Sequence, residues 1–235
     1  VILSDQFGII AKLHHLISDA WTFGLLATQF DIFVNGGNVT AGSYLDFYKS
    51  EQKYIGSKRF TKDREFFLSQ VEKCKEPLFL NTNVSNCFDS NRKTVLLDSS
   101  FTEKIIEFVK NNNCSVFSIF SFVLAMYISR INMNQEKFFI GTTILNRSAE
   151  PELNTAGVFI NVVPMLFDIS YDKTFTENLL STEDSLMSVF RHQRYNYVDL
   201  LTERKKYSSN KFFDVMLSYM NARVSSDDTS IRTTW

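Results

Sequence analysis

The stretch KLHHLISDAWTF, Lys12–Phe23, is the one on which the reading of the whole chain turns. It opens on the end of an apolar, β-friendly run, Phe7–Leu13, which predicts a strand ending at His14 and His15. Asp19 follows four residues after His15, and Trp21–Phe33 then reads as a helix apolar on most faces. The chain holds three histidines in 235 residues, and two of them are adjacent here. An imidazole titrates near neutral pH, so it can take or hold a proton while a nucleophile attacks. Neighbours on a strand point to opposite faces, so one histidine is expected to meet a cleft and the other the scaffold. Asp19 is expected to do structural work, either accepting backbone amides in the turn that carries His15 or pairing with a distant arginine. Adjacent strand residues are poorly placed to chelate one ion, so no metal is expected.

Outward from this stretch, Gly36-Gly37 stops the first helix and SYLDFYKSEQKY begins another. Lys58–Lys75 is amphipathic, with Phe60, Phe66, Phe67 and Val71 as its buried side, and Pro77 ends it. Its basic run, Lys58, Arg59, Lys62 and Arg64, reads as a solvated face. The Asn-rich residues 77–93 read as a crossover linker between residues 1–76 and residues 94–235. Lys93–Asp98 is expected to be a strand. Ser100 and Glu103, at capping-box spacing, open a helix to about Asn111. Ser115–Ile131 predicts a buried helix, and Lys137–Arg147 and Ala156–Ser170 are extended apolar runs. Thr174 and Glu177 open an amphipathic helix to about Tyr195, with Leu179, Leu186 and Phe190 facing inward. Phe212–Asn221 is a β-rich run. Strands alternating with helices argue an α/β or α+β fold.

Composition excludes several classes. An apolar fraction of 44% supports a packed core, and a formal net charge of −1 offers no field for nucleic acid or anionic membrane. Cys74, Cys87 and Cys114 are odd in number and widely spaced, which argues for a reducing, cytoplasmic setting. Ser115–Ile131 is shorter than the ~20 apolar residues of a membrane span. The first residues open in mid-pattern without a methionine, so an excised piece of a longer chain is expected. No G-x-S-x-G elbow and no glycine-rich phosphate loop is present.

HHLISDAW resembles the HHxxxDG signature of condensation domains from nonribosomal peptide synthetases. Further stretches resemble that family in its own order: YLDF at Tyr44–Phe47, IGTTILNR at Ile140–Arg147, GVFINVVPM at Gly157–Met165, RHQRYNYVDLL at Arg191–Leu201 and SSNKFFDVMLSYMN at Ser208–Asn221. Together they span almost the whole chain. The resemblance implies a chloramphenicol-acetyltransferase-like, two-lobed α/β (α+β) fold, of which this chain would hold the end of the first lobe and most of the second. It implies amide formation between a donor thioester and an acceptor amine. Both would be carried on phosphopantetheine by donor and acceptor carrier domains, with adenylation modules in the parent and no directly bound cofactor. By motif match His15 is the catalytic histidine, as general base or as the group that orients the amine. His14, Asp19, Arg147 and Asn161 support it. A thioester is already reactive, and holding two tethered substrates together supplies much of the rate, so no nucleophilic Ser or Cys is required.

The chain departs from the pattern at Ala20, Asn196 and Lys211, where the family has Gly, Pro and Pro. The family's earlier motifs find no match, so the isolated piece is expected to be inactive. An epimerisation domain, a free-standing acyltransferase and a non-catalytic carrier-docking platform are the alternative readings.

Overall fold

The computed structural model describes residues 10–74, 90–147, 149–204 and 211–220. By its internal contacts the chain divides into two compact units. The first comprises residues 1–57, 145–160 and 220–235, and the second residues 58–144 and 161–219.

In the first unit, helix α1 (Ala20–Val34) is followed by α2 (Tyr44–Tyr54). Asp19 caps α1, its carboxylate accepting from the Thr22 amide, and Ser43 caps α2 through the Asp46 amide. No strand forms at Ile10–Leu13, and Phe7–Ile9 lie outside the described residues. The expected strand therefore stops short of the histidines. A strand needs a neighbour for its amides and carbonyls, and no described strand lies beside these residues.

The second unit begins with α3 (Lys58–Lys73), continues through α4 (Ser99–Asn111) and α5 (Val116–Ile131), and enters strand β1 (Lys137–Ile144). A single turn of helix in the first unit, α6 (Glu150–Leu153), separates β1 from β2 (Asn161–Asp168). Helices α7 (Phe175–Arg191) and α8 (Tyr197–Arg204) and the short strand β3 (Met216–Leu217) complete it. The sheet order is β2-β1-β3, with β1 antiparallel to β2 from Lys137↔Asp168 to Ile144↔Asn161 and parallel to β3 at Gly141↔Met216.

β1 is buried on both sides from Phe138 to Thr142, which suits its apolar Phe138–Ile140 run. Phe138 and Ile140 pack with Met165, Phe167, Phe122, Ile128, Leu179 and Leu186 on one side. Phe139 packs with Phe67, Val71, Tyr195, Leu200 and Phe212 on the other. Each fully buried side chain of this size contributes about 1.5–3 kcal/mol. Pro164 is accommodated because β2 is the edge of the described sheet.

Several expectations change here. Asp98, not Ser100, caps α4, its carboxylate accepting from the Phe101 amide at 2.7 Å. Ser100 is already helical, so its spacing to Glu103 has no capping role. Lys93–Asp98 carries no strand and is exposed, again with no described strand beside it. The Thr174–Glu177 box forms in both directions, but α7 ends at Arg191 and a turn at His192–Tyr195 replaces its last expected residues. Most of the linker, residues 77–89, lies outside the described residues. Among the described residues no single helix is long and apolar enough to cross a membrane.

Gly141 marks a close approach in the sheet, because a Cβ there would overlap the Phe213 ring. Gly141→Ala is expected to lower stability by about 1–3 kcal/mol, the usual cost of overpacking. Chemical denaturation read by far-ultraviolet circular dichroism checks this.

Candidate active site

The histidine motif folds as a turn leading into a helix cap. The Ile17 amide donates to the His14 carbonyl at 3.0 Å, and the Ser18 hydroxyl donates to the same oxygen at 3.1 Å. The Leu16 amide donates to His14 Nδ1 at 3.1 Å, so that nitrogen is an acceptor and a neutral His14 carries its proton on Nε2. His14 thus ties its imidazole into the turn. His15, the next residue, is exposed and forms no hydrogen bond with the described residues. The two imidazoles differ in their surroundings, and the turn, rather than opposite faces of a strand, separates them.

Behind the turn, Asp19 is 2% exposed and its carboxylate is saturated. Oδ1 accepts from the Thr22 amide and lies within donating reach of the Thr22 hydroxyl, both at 2.9 Å; Oδ2 accepts from the Phe159 amide at 3.1 Å. Nη2 of Arg147 stands 3.2 Å from both carboxylate oxygens and donates to the Gly157 carbonyl at 3.0 Å. Nη1 of Arg147 donates to the carbonyls of Glu152 and Thr155 at 2.5 and 2.6 Å. The guanidinium also lies over the Phe159 ring, 3.8 Å from its centroid. Burial by itself raises the Asp19 carboxyl, but the Thr22 and Phe159 amides, the Thr22 hydroxyl and the Arg147 charge outweigh it and hold it below the usual aspartate value. Burial pulls Arg147 down against the opposing pull of Asp19, yet arginine starts so high that both partners stay charged at neutral pH.

An aromatic wall closes this pair. Tyr44 donates its phenol to the Val158 carbonyl at 2.9 Å, and its ring meets Phe47 and Phe159. Burial, and then the Asp19 charge, push the Tyr44 phenol up, so it stays a neutral donor. Gly157 adopts a φ of +153°, and a Cβ at this position would overlap the Tyr44 ring. Trp21 Nε1 donates to the Leu153 carbonyl at 2.9 Å. Arg147 and residues 149–159 are thereby folded onto the start of α1.

A family profile described as "Condensation domain" matches residues 2–234. The chain belongs to the condensation domain family. It is 31% identical over 229 residues to surfactin synthase subunit 1 of Bacillus subtilis (strain 168), covering 93% of this chain and 6% of that protein. It is 23% identical over 228 residues to bacitracin synthase 3 of Bacillus licheniformis, covering 92% of this chain and 4% of that protein. The first condensation domain of the calcium-dependent antibiotic synthetase, solved with a substrate analogue, superposes with a TM-score of 0.74 at 15% identity, over 88% of this chain and 46% of that one. VibH, a condensation enzyme, superposes at 0.69 with 16% identity, over 81% and 46%. The chain therefore spans about half of these solved structures and a small part of its curated relatives. Its fold is the chloramphenicol-acetyltransferase-like α+β fold of condensation domains.

Of the condensation-domain motif residues, the first unit brings His14, His15, Asp19 and Arg147 into one turn and its support. Asn161 belongs to the second unit, where its Nδ2 donates to the carbonyls of Gln193 and Tyr195, both at 2.8 Å. Thr22 was missed by sequence reasoning. The signal that could have found it was the cap itself: with Asp19 as N-cap, the third helical residue turns its amide and side chain back to the carboxylate.

Ala20, where most condensation domains carry glycine, is the first helical residue of α1 and is exposed. The backbone there makes no demand for glycine, and alanine is the better helix former. Ala20→Gly is expected to lower the stability of α1 by up to about 1 kcal/mol, with no gain in folding, as urea denaturation would show.

Proposed function

We propose that this chain carries the histidine turn of a condensation domain that joins two carrier-bound substrates by an amide bond. The observation that carries this reading is the exposed His15 imidazole, held ahead of the buried Asp19–Arg147 pair by a turn that engages His14 instead. In the reaction, the acceptor's neutral α-amine attacks the donor thioester carbonyl. The N–C bond forms, the C–S bond breaks, and the amine proton passes by way of His15 to the departing thiolate. Both substrates arrive on phosphopantetheine arms of donor and acceptor carrier domains, and the arms are substrate rather than resident cofactor. Adenylation modules of a cytoplasmic parent synthetase would load those carriers. In this reading residues 1–76 close the first lobe, 77–93 cross over, and 94–235 form most of the second. His14, Asp19, Arg147 and Asn161 support His15 without touching the reacting atoms.

The test uses the complete condensation domain with both carriers loaded and intact-mass detection of the acceptor carrier. A mass equal to donor plus acceptor is the expected result. An unmodified acceptor, with folded protein and correctly loaded carriers, overturns the reading. Exchange of the donor's Cα hydrogen in that sample would point to epimerisation, and neither change to a docking platform.

A further inference from the structure

A second polar network is built around a buried carboxylate on α3, a helix that no motif covers, and reaches into the Arg191–Leu201 stretch. The Asp63 side chain is fully buried. Its Oδ1 lies 2.8 Å from Arg59 Nε, one helical turn earlier, and 2.7 Å from His192 Nδ1. Arg59 also donates to the Arg191 carbonyl, and the His192 ring stacks on Phe66 at 4.2 Å with an interplanar angle of 15°. One face of α3 therefore grips the end of α7 and the residue after it by hydrogen bonds and stacking.

His192 opens the turn that carries the chain from α7 to α8. The Tyr195 amide donates to the His192 carbonyl at 3.3 Å, and the buried Tyr195 ring packs on Phe60 and Phe67 of α3. The carbonyls of Gln193 and Tyr195 both accept from Asn161 Nδ2, and Asn161 Oδ1 accepts from the Val162 amide at 2.9 Å. Asn161 is the first residue of β2. Both of its amide hydrogens are thus engaged by the turn, and neither is left to donate to a substrate.

The geometry points to Asp63 as a positioning residue of the condensation reaction, acting through His192 and the His192–Tyr195 turn on Asn161 and the start of β2. This rests on the condensation reading given above. A buried carboxylate is costly unless paired, and this one is paired with Arg59, whose side chain also holds the Arg191 carbonyl just before the turn, and with His192, which opens it. Asn161, in turn, acts as the latch at the other end of the network. The two residues never touch, so any coupling between them passes through the turn.

A double-mutant cycle in the complete condensation domain tests this, using Asp63→Ala, Asp63→Asn, Asn161→Ala and the Asp63→Ala/Asn161→Ala pair. Single-turnover amide formation is followed against acceptor-carrier concentration, with hydrogen exchange of the backbone at 193–196 as a second readout. Asp63→Ala is expected to slow the turnover step about tenfold, a usual size for members of one hydrogen-bond network, with half-saturation by the carrier unchanged. Asp63→Asn, whose amide oxygen still accepts from His192, recovers most of the rate. The double variant is no slower than Asn161→Ala. Full activity in Asp63→Ala, multiplying effects in the pair, or a loss that only tracks the folded fraction would overturn the proposal. If Asp63→Ala does not fold, the cycle is run with His192→Ala, which removes the link itself, under the same criterion of non-multiplying effects. If the wild type forms no amide, the reading of function fails separately and exchange decides: faster exchange at 193–196 that is no greater in the double variant supports the network, and unchanged or additive exchange refutes it.

Discussion

Arg147→Ala is expected to destabilise the first unit by roughly 3–5 kcal/mol, the cost of leaving a buried charge without its partner. The Arg147 side chain is fully buried and Asp19 nearly so, and one guanidinium serves the carboxylate and three carbonyls from Glu152, Thr155 and Gly157. Removing it leaves Asp19 ionised in a site that water does not reach, and frees residues 149–159 from α1. Asp19→Ala should cost a similar amount, since it strands the arginine and uncaps the helix at once. Trp21, at the start of α1 and bonded to Leu153, is placed to report the loss. In a Trp235→Phe background its fluorescence follows urea unfolding of this unit. A variant with an unshifted midpoint would remove the pair from the account of stability.

The same pair sets a pH dependence. The folded Asp19 carboxyl titrates below its unfolded value of about 3.9, because its hydrogen bonds and Arg147 favour the ionised form over the opposing effect of burial. The unfolded chain therefore binds this proton more readily. The contribution is fully present above the unfolded value and is lost as pH falls through the folded one. In Asp19→Asn this acid-side slope is expected to flatten, as urea midpoints between neutral pH and about pH 3 would show.

His15→Ala is expected to slow amide formation by about 10²–10⁴-fold in the complete condensation domain, the range that a positioned acid–base group supplies. Stability should be nearly unchanged, because His15 is exposed and without a hydrogen bond among the described residues. That contrast separates it from Arg147→Ala, which acts through the fold. His14→Ala should lie between the two, since it loses the acceptor for the Leu16 amide but no buried charge. Single-turnover rates with loaded carriers, set beside thermal melts, give the comparison. A His15→Ala domain that turns over at the wild-type rate would sink His15 as the reacting histidine.

What the sequence determined by itself was local or carried in short motifs. The apolar run Trp21–Phe33 predicts α1, and Thr174 with Glu177 predicts the cap of α7, because a helix cap is decided within four residues. The extended runs Lys137–Arg147 and Ala156–Ser170 predict β1 and β2, because Phe138–Ile140 and Val162–Phe167 gather the β-branched, aromatic and apolar residues that a buried strand takes. The order of the motifs was enough for the family. Tertiary structure decided what depends on partners far along the chain. Lys93–Asp98 has strand composition but no described strand beside it, so it stays exposed. Asp19 finds Arg147 across 128 residues, and Asp63 finds His192 across 129, at separations where spacing carries no information. Asn161 is singled out in sequence by motif match alone, and only the fold shows its amide hydrogens held by the Gln193 and Tyr195 carbonyls. Such pairs exist only once the chain has folded, because burial raises the cost of an unpaired polar group and the satisfied arrangement is the one that survives.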